Sequence, residues 1–444
     1  MSLIRLGFWA ASGASTPITY WLSSIKNDDF GGGRAFVLDS SGNGYLNGHS
    51  NITGSNQNFL LAKYNQAGEV QWQRTLGGAS TDKGYGIAVD SGNNIYAVGE
   101  TASDGQGESD LFIAKYNSSG VIQWQRTLGG STQDTGSSVA VDSSDNVYVF
   151  GRSEFAGAGS FDFLLAKYDS SGSLQWQVVL GGSSSEDGNA ITIDASGNVY
   201  VAGDTQSEGQ GGREFFIAKY NSSGVIQWQR IIGGSSFDYA YGIATDSSGN
   251  VYATGVTESQ GQGSRELLFV KYNSSGTLQF QKMLGGTDHD WGYSLYIDST
   301  DNIYLGGRTQ STGEGFYDSL IVKYNTSGVI QFQRTLGGVD YDEIRSLAID
   351  SNNSIWAFGF TGSVSTGDYY YLLAKLPGDG SLTGTYVIDG VDMVYAASSL
   401  TAGTSTLTAA TSTLTAATST LTSASSTLTS SSASLATDFV EIPQ

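Results

Sequence analysis

The ten residues NSSGVIQWQR stand at 117–126 and again at 221–230, letter for letter, with starts 104 residues apart. Midway between them, 169–178 reads DSSGSLQWQV, a looser copy, so the true period is 52. The Gln-aromatic-Gln core steps on that period through Trp72, Trp124, Trp176, Trp228, Phe280 and Phe332. An aspartate keeps the same time at Asp39, Asp90, Asp142, Asp194, Asp246, Asp298 and Asp350. So does a lysine, at Lys63, Lys115, Lys167, Lys219, Lys271, Lys323 and Lys375. Three markers on one period near 50 residues specify a propeller, solenoid or array, in which each unit buries its faces against its neighbours.

One unit shows which. In 84–128, GYGIAVD alternates and runs into the turn SGNN; IYAVG is a short strand; ETASDGQGESD is a polar, glycine-rich loop. LFIAKY and VIQWQRTL are two more strands around the tight turn NSSG. Four short strands joined by Gly/Asn/Asp/Ser turns make an antiparallel meander, the blade of a propeller. Seven units over 18–377 predict an all-β, seven-bladed β-propeller. ITYWLSSI places Trp21 51 residues before Trp72, the offset that also separates Asp39 from Asp90. The N-terminal stretch 18–25 is therefore expected to be the outer strand of the last blade; the alternative closing strand is GTYVIDG at 384–390.

The repeat resembles the bacterial β-propeller repeat family SBBP, through DSSGNVYATG (246–255) and FIAKYNSSGVIQWQRTLGG (112–130). The resemblance covers about 18–377 and implies a fold; a fold does not imply a function. A weaker likeness to quinone-binding propellers, through SSGVIQW, involves structural Gly and Trp, and no cofactor is expected.

Beyond LPGDG (376–380) the composition shifts to Ser, Thr, Ala and Leu, and Leu recurs every seven residues at Leu400, Leu407, Leu414, Leu421, Leu428 and Leu435. An odd period cannot hold one face of a straight strand, but it does hold one face of a supercoiled helix. The expected organisation is a docking arm (1–17), the propeller (18–377), a linker (378–397), a heptad coiled-coil stalk (398–437) and a tip (438–444). The alternative for the stalk is a disordered Ser/Thr-rich segment. The six leucines would then join the chain into a homotrimer. Such a layout resembles bacteriophage tail fibres or virion appendages, which implies a virion location and contacts with other virion proteins through arm or stalk. The apolar run LGFWAA near the N-terminus is shorter than a signal peptide needs.

Composition narrows the chemistry. A net charge of −21 argues against a phosphate-backbone partner. There is no cysteine and no run of 18 apolar residues, so neither thiol chemistry nor a membrane-spanning helix is expected. His49 and His289 are the only histidines, which leaves little for a Ser-His-Asp triad or a histidine metal site. No catalytic residue, metal or cofactor is expected.

The binding candidates lie eight residues before each marker aspartate: Asp82, Asp134, Glu186, Asp238, Asp290 and Asp342, with Asp29 nearest in the first unit. They would ring one mouth of the central channel, either capping their own loops or holding a cation or basic partner. Aromatics gather at the same end, notably Tyr239, Trp291 and Tyr341, with Tyr241 and Tyr293 close by; such rings suit sugars or protein contacts. The expected function is a non-enzymatic binding protein of an oligomeric fibre, with host glycans as one ligand class. The alternatives are a cell-surface or secreted carbohydrate- or protein-binding propeller, and a glycan-active enzyme using paired carboxylates.

Overall fold

A computed structural model describes residues 19–26, 34–50, 56–154, 157, 159–364, 369–388 and 391–405, together with the backbone of 408–411, 415–418, 422–425, 429–432 and 437–442. Seven antiparallel sheets form a ring. Their innermost strands are Ala35–Leu38, Asp82–Val89, Asp134–Val141, Glu186–Ile193, Asp238–Thr245, Asp290–Ile297 and Asp342–Ile349. Each touches the next, and the seventh touches the first. Blade two is typical: Asp82–Val89, Ile95–Thr101, Asp110–Tyr116 and Ile122–Gly129 pair in chain order.

The repeated decapeptide acts across blades. Its turn belongs to one blade and sits on the tryptophan of the blade before. A Cβ on Gly120 would lie 3.0 Å from the Trp72 ring, and the φ of +74° there already demands glycine. Trp72 Nε1 and Lys63 Nζ both donate to the Ser118 carbonyl at 3.2 Å, and Arg74 Nε donates to the Gly120 carbonyl at 3.1 Å. Lys115, Trp124 and Arg126 grip Ser170 and Gly172 in the same way, and Lys219, Trp228 and Arg230 grip Ser274 and Gly276. The copies are alike because each is half of a latch whose other half is also repeated.

The marker aspartates hold the turn between the first two strands. Asp90 accepts from the backbone of Gly92 and Asn94, from the Asn94 amide and from Tyr96 Oη, with Lys115 Nζ 3.4 Å away. Burial works against its charge, but these donors outweigh burial and hold the carboxyl below its ordinary value.

Tyr20–Lys26 pairs with Tyr370–Pro377, so the N-terminal strand closes blade seven as its spacing predicts. Trp21 Nε1 and Lys375 Nζ then donate to the Gln66 carbonyl of blade one, at 3.4 and 3.5 Å. The closing seam uses the common latch. The alternative closing stretch goes elsewhere: Gly384–Ile388 forms a hairpin with Val391–Ala397, which pairs with Arg334–Gly337 of blade six.

The C-terminal segment overturns the expectation of a linker and a helical stalk. Past the blade-six hairpin, four-residue strands Thr401–Thr404, Thr408–Thr411, Thr415–Thr418, Thr422–Ser425 and Thr429–Ser432 add to the outer edges of blades five, four, three, two and one in that order. Thr437–Ile442 then pairs with the N-terminal strand on blade seven. The tail is a belt running backwards around the ring.

Its period of seven is four paired residues plus three that cross to the next blade, an advance of at most roughly 23 Å of extended chain per step. Because each strand starts afresh, the odd period breaks no alternation. The driving forces also favour strands: an outer blade edge presents unpaired backbone groups, and a Thr-rich segment is a poor helix former that suits an edge. Leu400 is 6% exposed and packs among Leu267, Leu284, Leu305 and Leu320 of blades five and six, so it serves its own chain and not a second copy. Leu407, Leu414, Leu421, Leu428 and Leu435, like the arm 1–17 and Asp29, lie outside the described residues.

Candidate functional site

Six of the seven innermost strands carry a bulge at the same place. Pairing skips one residue between Gly84 and Gly86, Gly136 and Ser138, Gly188 and Ala190, Ala240 and Gly242, Gly292 and Ser294, and Ile344 and Ser346. The skipped residues are Tyr85, Ser137, Asn189, Tyr241, Tyr293 and Arg345. Each stands five residues before its marker aspartate, the place that Arg34 occupies in blade one. A bulge re-aims the side chain that it carries. All seven of these residues line one cavity of about 560 Å³, to which every blade contributes.

A second tier joins neighbouring blades above this ring. Arg152 pairs with Asp187 of the next blade, and Arg213 bridges Asp187 and Asp204. Thr135 donates to Glu100 at 3.3 Å, and Lys83 and Tyr85 donate to the same carboxylate at 3.0 and 2.9 Å. Burial acts to raise the Glu100 carboxyl, but Lys83 and these donors more than offset it and hold it low. Burial wins at Asp204, which is pushed up to about 7 despite Arg213.

The seam between blades seven and one brings Arg345 and Arg34 together. Arg345 lies 3.9 Å over the Tyr293 ring and pairs with Glu343; Arg34 lies 5.2 Å over the Tyr85 ring. Among the described residues no carboxylate pairs with Arg34. It is open to the cavity, yet crowding by protein, followed by the charge of Arg345, pushes its guanidinium below the ordinary arginine value. Two stacked cations, side by side, face the same space.

The wall of the cavity holds four arginines (Arg34, Arg152, Arg213, Arg345) and three carboxylates (Glu100, Asp187, Asp204), one positive charge in excess. That excess sits inside a protein of net charge −21. Four of the described arginines, Arg74, Arg126, Arg230 and Arg334, reach the turn of the next blade. The other six are Arg34, Arg152, Arg213 and Arg345 at the cavity, and Arg265 and Arg308 beside Trp291. Positive charge is concentrated where the bulges aim.

Most of the residues picked from sequence lie elsewhere. Asp82, Asp134, Glu186, Asp238, Asp290 and Asp342 are all fully buried. Each caps its own loop: Asp82, for example, accepts from the Gly78 amide at 2.9 Å and from Ser103 Oγ at 2.8 Å. None of them lines this cavity. Trp291 already has two guanidiniums over its ring, Arg265 at 4.7 Å and Arg308 at 4.0 Å from the centroid, and does not line the cavity. Tyr341 donates to Glu343 at 2.6 Å and packs edge-on against Tyr317. Tyr239 does line the cavity, stacked in register between Phe237 and Tyr241. His49 is buried, and burial together with Arg34 and Lys83 pushes it down to about 3. Among the described residues no cluster of His, Asp or Glu suits a metal ion, and no helix is long and apolar enough to cross a membrane.

Residues that repeat do not reveal the ring. Its signal is the reverse. At five residues before the marker aspartate the blades read Arg, Tyr, Ser, Asn, Tyr, Tyr, Arg, although the residues on either side are small in every blade except at Ile344.

The features assembled here define a seven-bladed β-propeller with a polar, cation-rich axial funnel. Residues 71–105, 123–155, 175–209, 227–261 and 282–313 match the SBBP beta-propeller repeat, and the chain belongs to that family. It is 25% identical over 291 residues to the regulatory protein FlaEY of Caulobacter vibrioides, an alignment spanning 60% of this chain and 28% of that one. It is also 25% identical over 306 residues to an uncharacterized WD repeat-containing protein of Acanthamoeba polyphaga mimivirus, spanning 59% of this chain and 18% of that one. The chain thus spans under a third of the length of the curated relatives it matches. Virginiamycin B lyase from Staphylococcus aureus superposes with a TM-score of 0.50 at 11% identity, covering 80% of this chain and 99% of that one; the likeness is one of fold.

Proposed function

We propose that the chain is a non-catalytic binding propeller that holds a small anionic ligand in its axial funnel. One observation carries this reading: in a molecule built from closely similar blades, the bulge position that lines the cavity varies from blade to blade, and at the seam between blades seven and one it supplies two cations. The cavity volume falls within the range typical of small-molecule sites. A binding role is favoured over catalysis because the carboxylates in the wall are already engaged. Asp187 and Asp204 both grip Arg213, and Glu100 receives Lys83, Tyr85 and Thr135. The fibre reading rested on a helical stalk, and with the tail on the blade edges that support is gone.

The test is a thermal-shift screen of the full chain against a panel of small organic acids, phosphates and neutral sugars, repeated on Ser137→Trp, which fills the funnel. Ligands that raise the melting temperature of the parent and not of the tryptophan variant support the reading. A panel with no hit, or hits that ignore Ser137→Trp, overturns it.

A further inference from the structure

Resting on the funnel reading, we infer that the ligand is a sugar acid of the hexuronate class: one carboxylate on a polyhydroxylated ring. The two ends of the cavity differ in chemistry. At the blade-seven/blade-one seam, Arg34 and Arg345 present two guanidiniums, each backed by a tyrosine ring. Planar guanidiniums match a planar carboxylate and offer it parallel N–H donors. Arg345 already serves Glu343, whereas Arg34 has no carboxylate partner among the described residues. A carboxylate placed there completes an alternation of charge around the seam.

The wall carries one positive charge in excess, which one negative group neutralises. Blades three and four bring Arg152 and Arg213, but both already pair with Asp187 or Asp204, and beside them stand Thr135, Ser137 and Asn189. Asn189 Nδ2 bonds to the Asp204 carboxylate at 3.2 Å and to the Ala240 carbonyl at 2.9 Å, an arrangement that fixes the amide in the wall. Hydroxyls and a fixed amide recognise hydroxyls. Tyr239 and Tyr241 line the blade-five side with half-buried rings, and such rings carry an apolar face and a hydroxyl on one side chain.

Isothermal titration of the full chain with galacturonate, galactose and galactose 6-phosphate tests the assignment. Galacturonate should bind at least tenfold more tightly than either of the others. Arg34→Gln should remove that preference while keeping the parent melting temperature, since Arg34 takes no part in a latch. Asn189→Leu should weaken galacturonate severalfold and leave its preference over galactose intact. Galactose 6-phosphate binding as well as or better than galacturonate, or an Arg34→Gln affinity equal to the parent's, overturns the inference. If no sugar acid binds while other panel compounds depend on Ser137, the inference fails and the funnel reading stands. If nothing depends on Ser137, both fail.

Discussion

Asp342→Asn should make the propeller lose less stability than the parent as pH rises from about 4 to 7. Asp342 is fully buried, accepting from the Gly338 amide at 2.9 Å and from Ser363 Oγ at 2.7 Å. Burial is the largest influence on it and pushes its carboxyl from an ordinary 3.8 up to about 7, with the Asp318 charge adding to the rise. Asp318, itself pushed up to about 6 by burial, comes close because only Gly337 separates them; a Cβ on that glycine would meet oxygens of both. Between pH 4 and 7 the folded chain keeps a proton on Asp342 that the unfolded chain has released. Stability therefore falls as pH rises through that window, by about 1.4 kcal/mol per pH unit for one group and roughly 4 kcal/mol in all. Asparagine does not titrate and keeps one acceptor oxygen for Ser363 and Gly338. Urea unfolding of parent and variant at pH 4.5, 5.5 and 6.5 measures the difference. The parent should lose close to 1.4 kcal/mol more than the variant at each step. A difference that stays flat across the three pH values would show that Asp342 is ionised throughout, and the reasoning would fail.

Trp124→Ala removes the donor to Ser170, the ring under Gly172 and the stack beneath Arg126. For a half-buried tryptophan the expected loss is about 2–3 kcal/mol, read by the same unfolding assay, with binding in the funnel unchanged. Truncation after Ser398 strips the belt from blades five, four, three, two, one and seven. The shortened chain should stay folded by near-ultraviolet circular dichroism, melt earlier and associate at high concentration through its bared edges. The full chain should show no helical signature by far-ultraviolet circular dichroism, and a clear one would restore the stalk.

The body of the fold was legible because the latch is written into residues that cannot vary independently. Trp72 needs Gly120, and Arg74 needs the same turn, so the sequence repeats them together. Trp21 announced its role by sharing their spacing. The tail was not legible by period alone. Seven residues are two helical turns, and they are equally one short strand plus a crossing, so Leu400 reads the same in both until the blade that it plugs is known. The funnel was hidden for a different reason. Buried carboxylates such as Asp82 recur because every loop needs the same cap, whereas Asn189 matches nothing at its place in the other units and Arg34 matches only Arg345. In a repeat protein, uniformity marks the scaffold, and the departures from it mark what each copy does differently.

The belt makes the tail a ruler. Each blade uses about 52 residues of the body and, at its rim, one strand of the tail, or two on blade six. A chain that gained an eighth blade by duplication would leave one outer edge bare unless it also gained a seven-residue unit some hundreds of residues downstream. Blade number is thus recorded twice in a single gene, in two unrelated spellings, and a lineage can change one count only by amending the other. Among relatives that carry such a tail, the number of seven-residue units should track the number of blades.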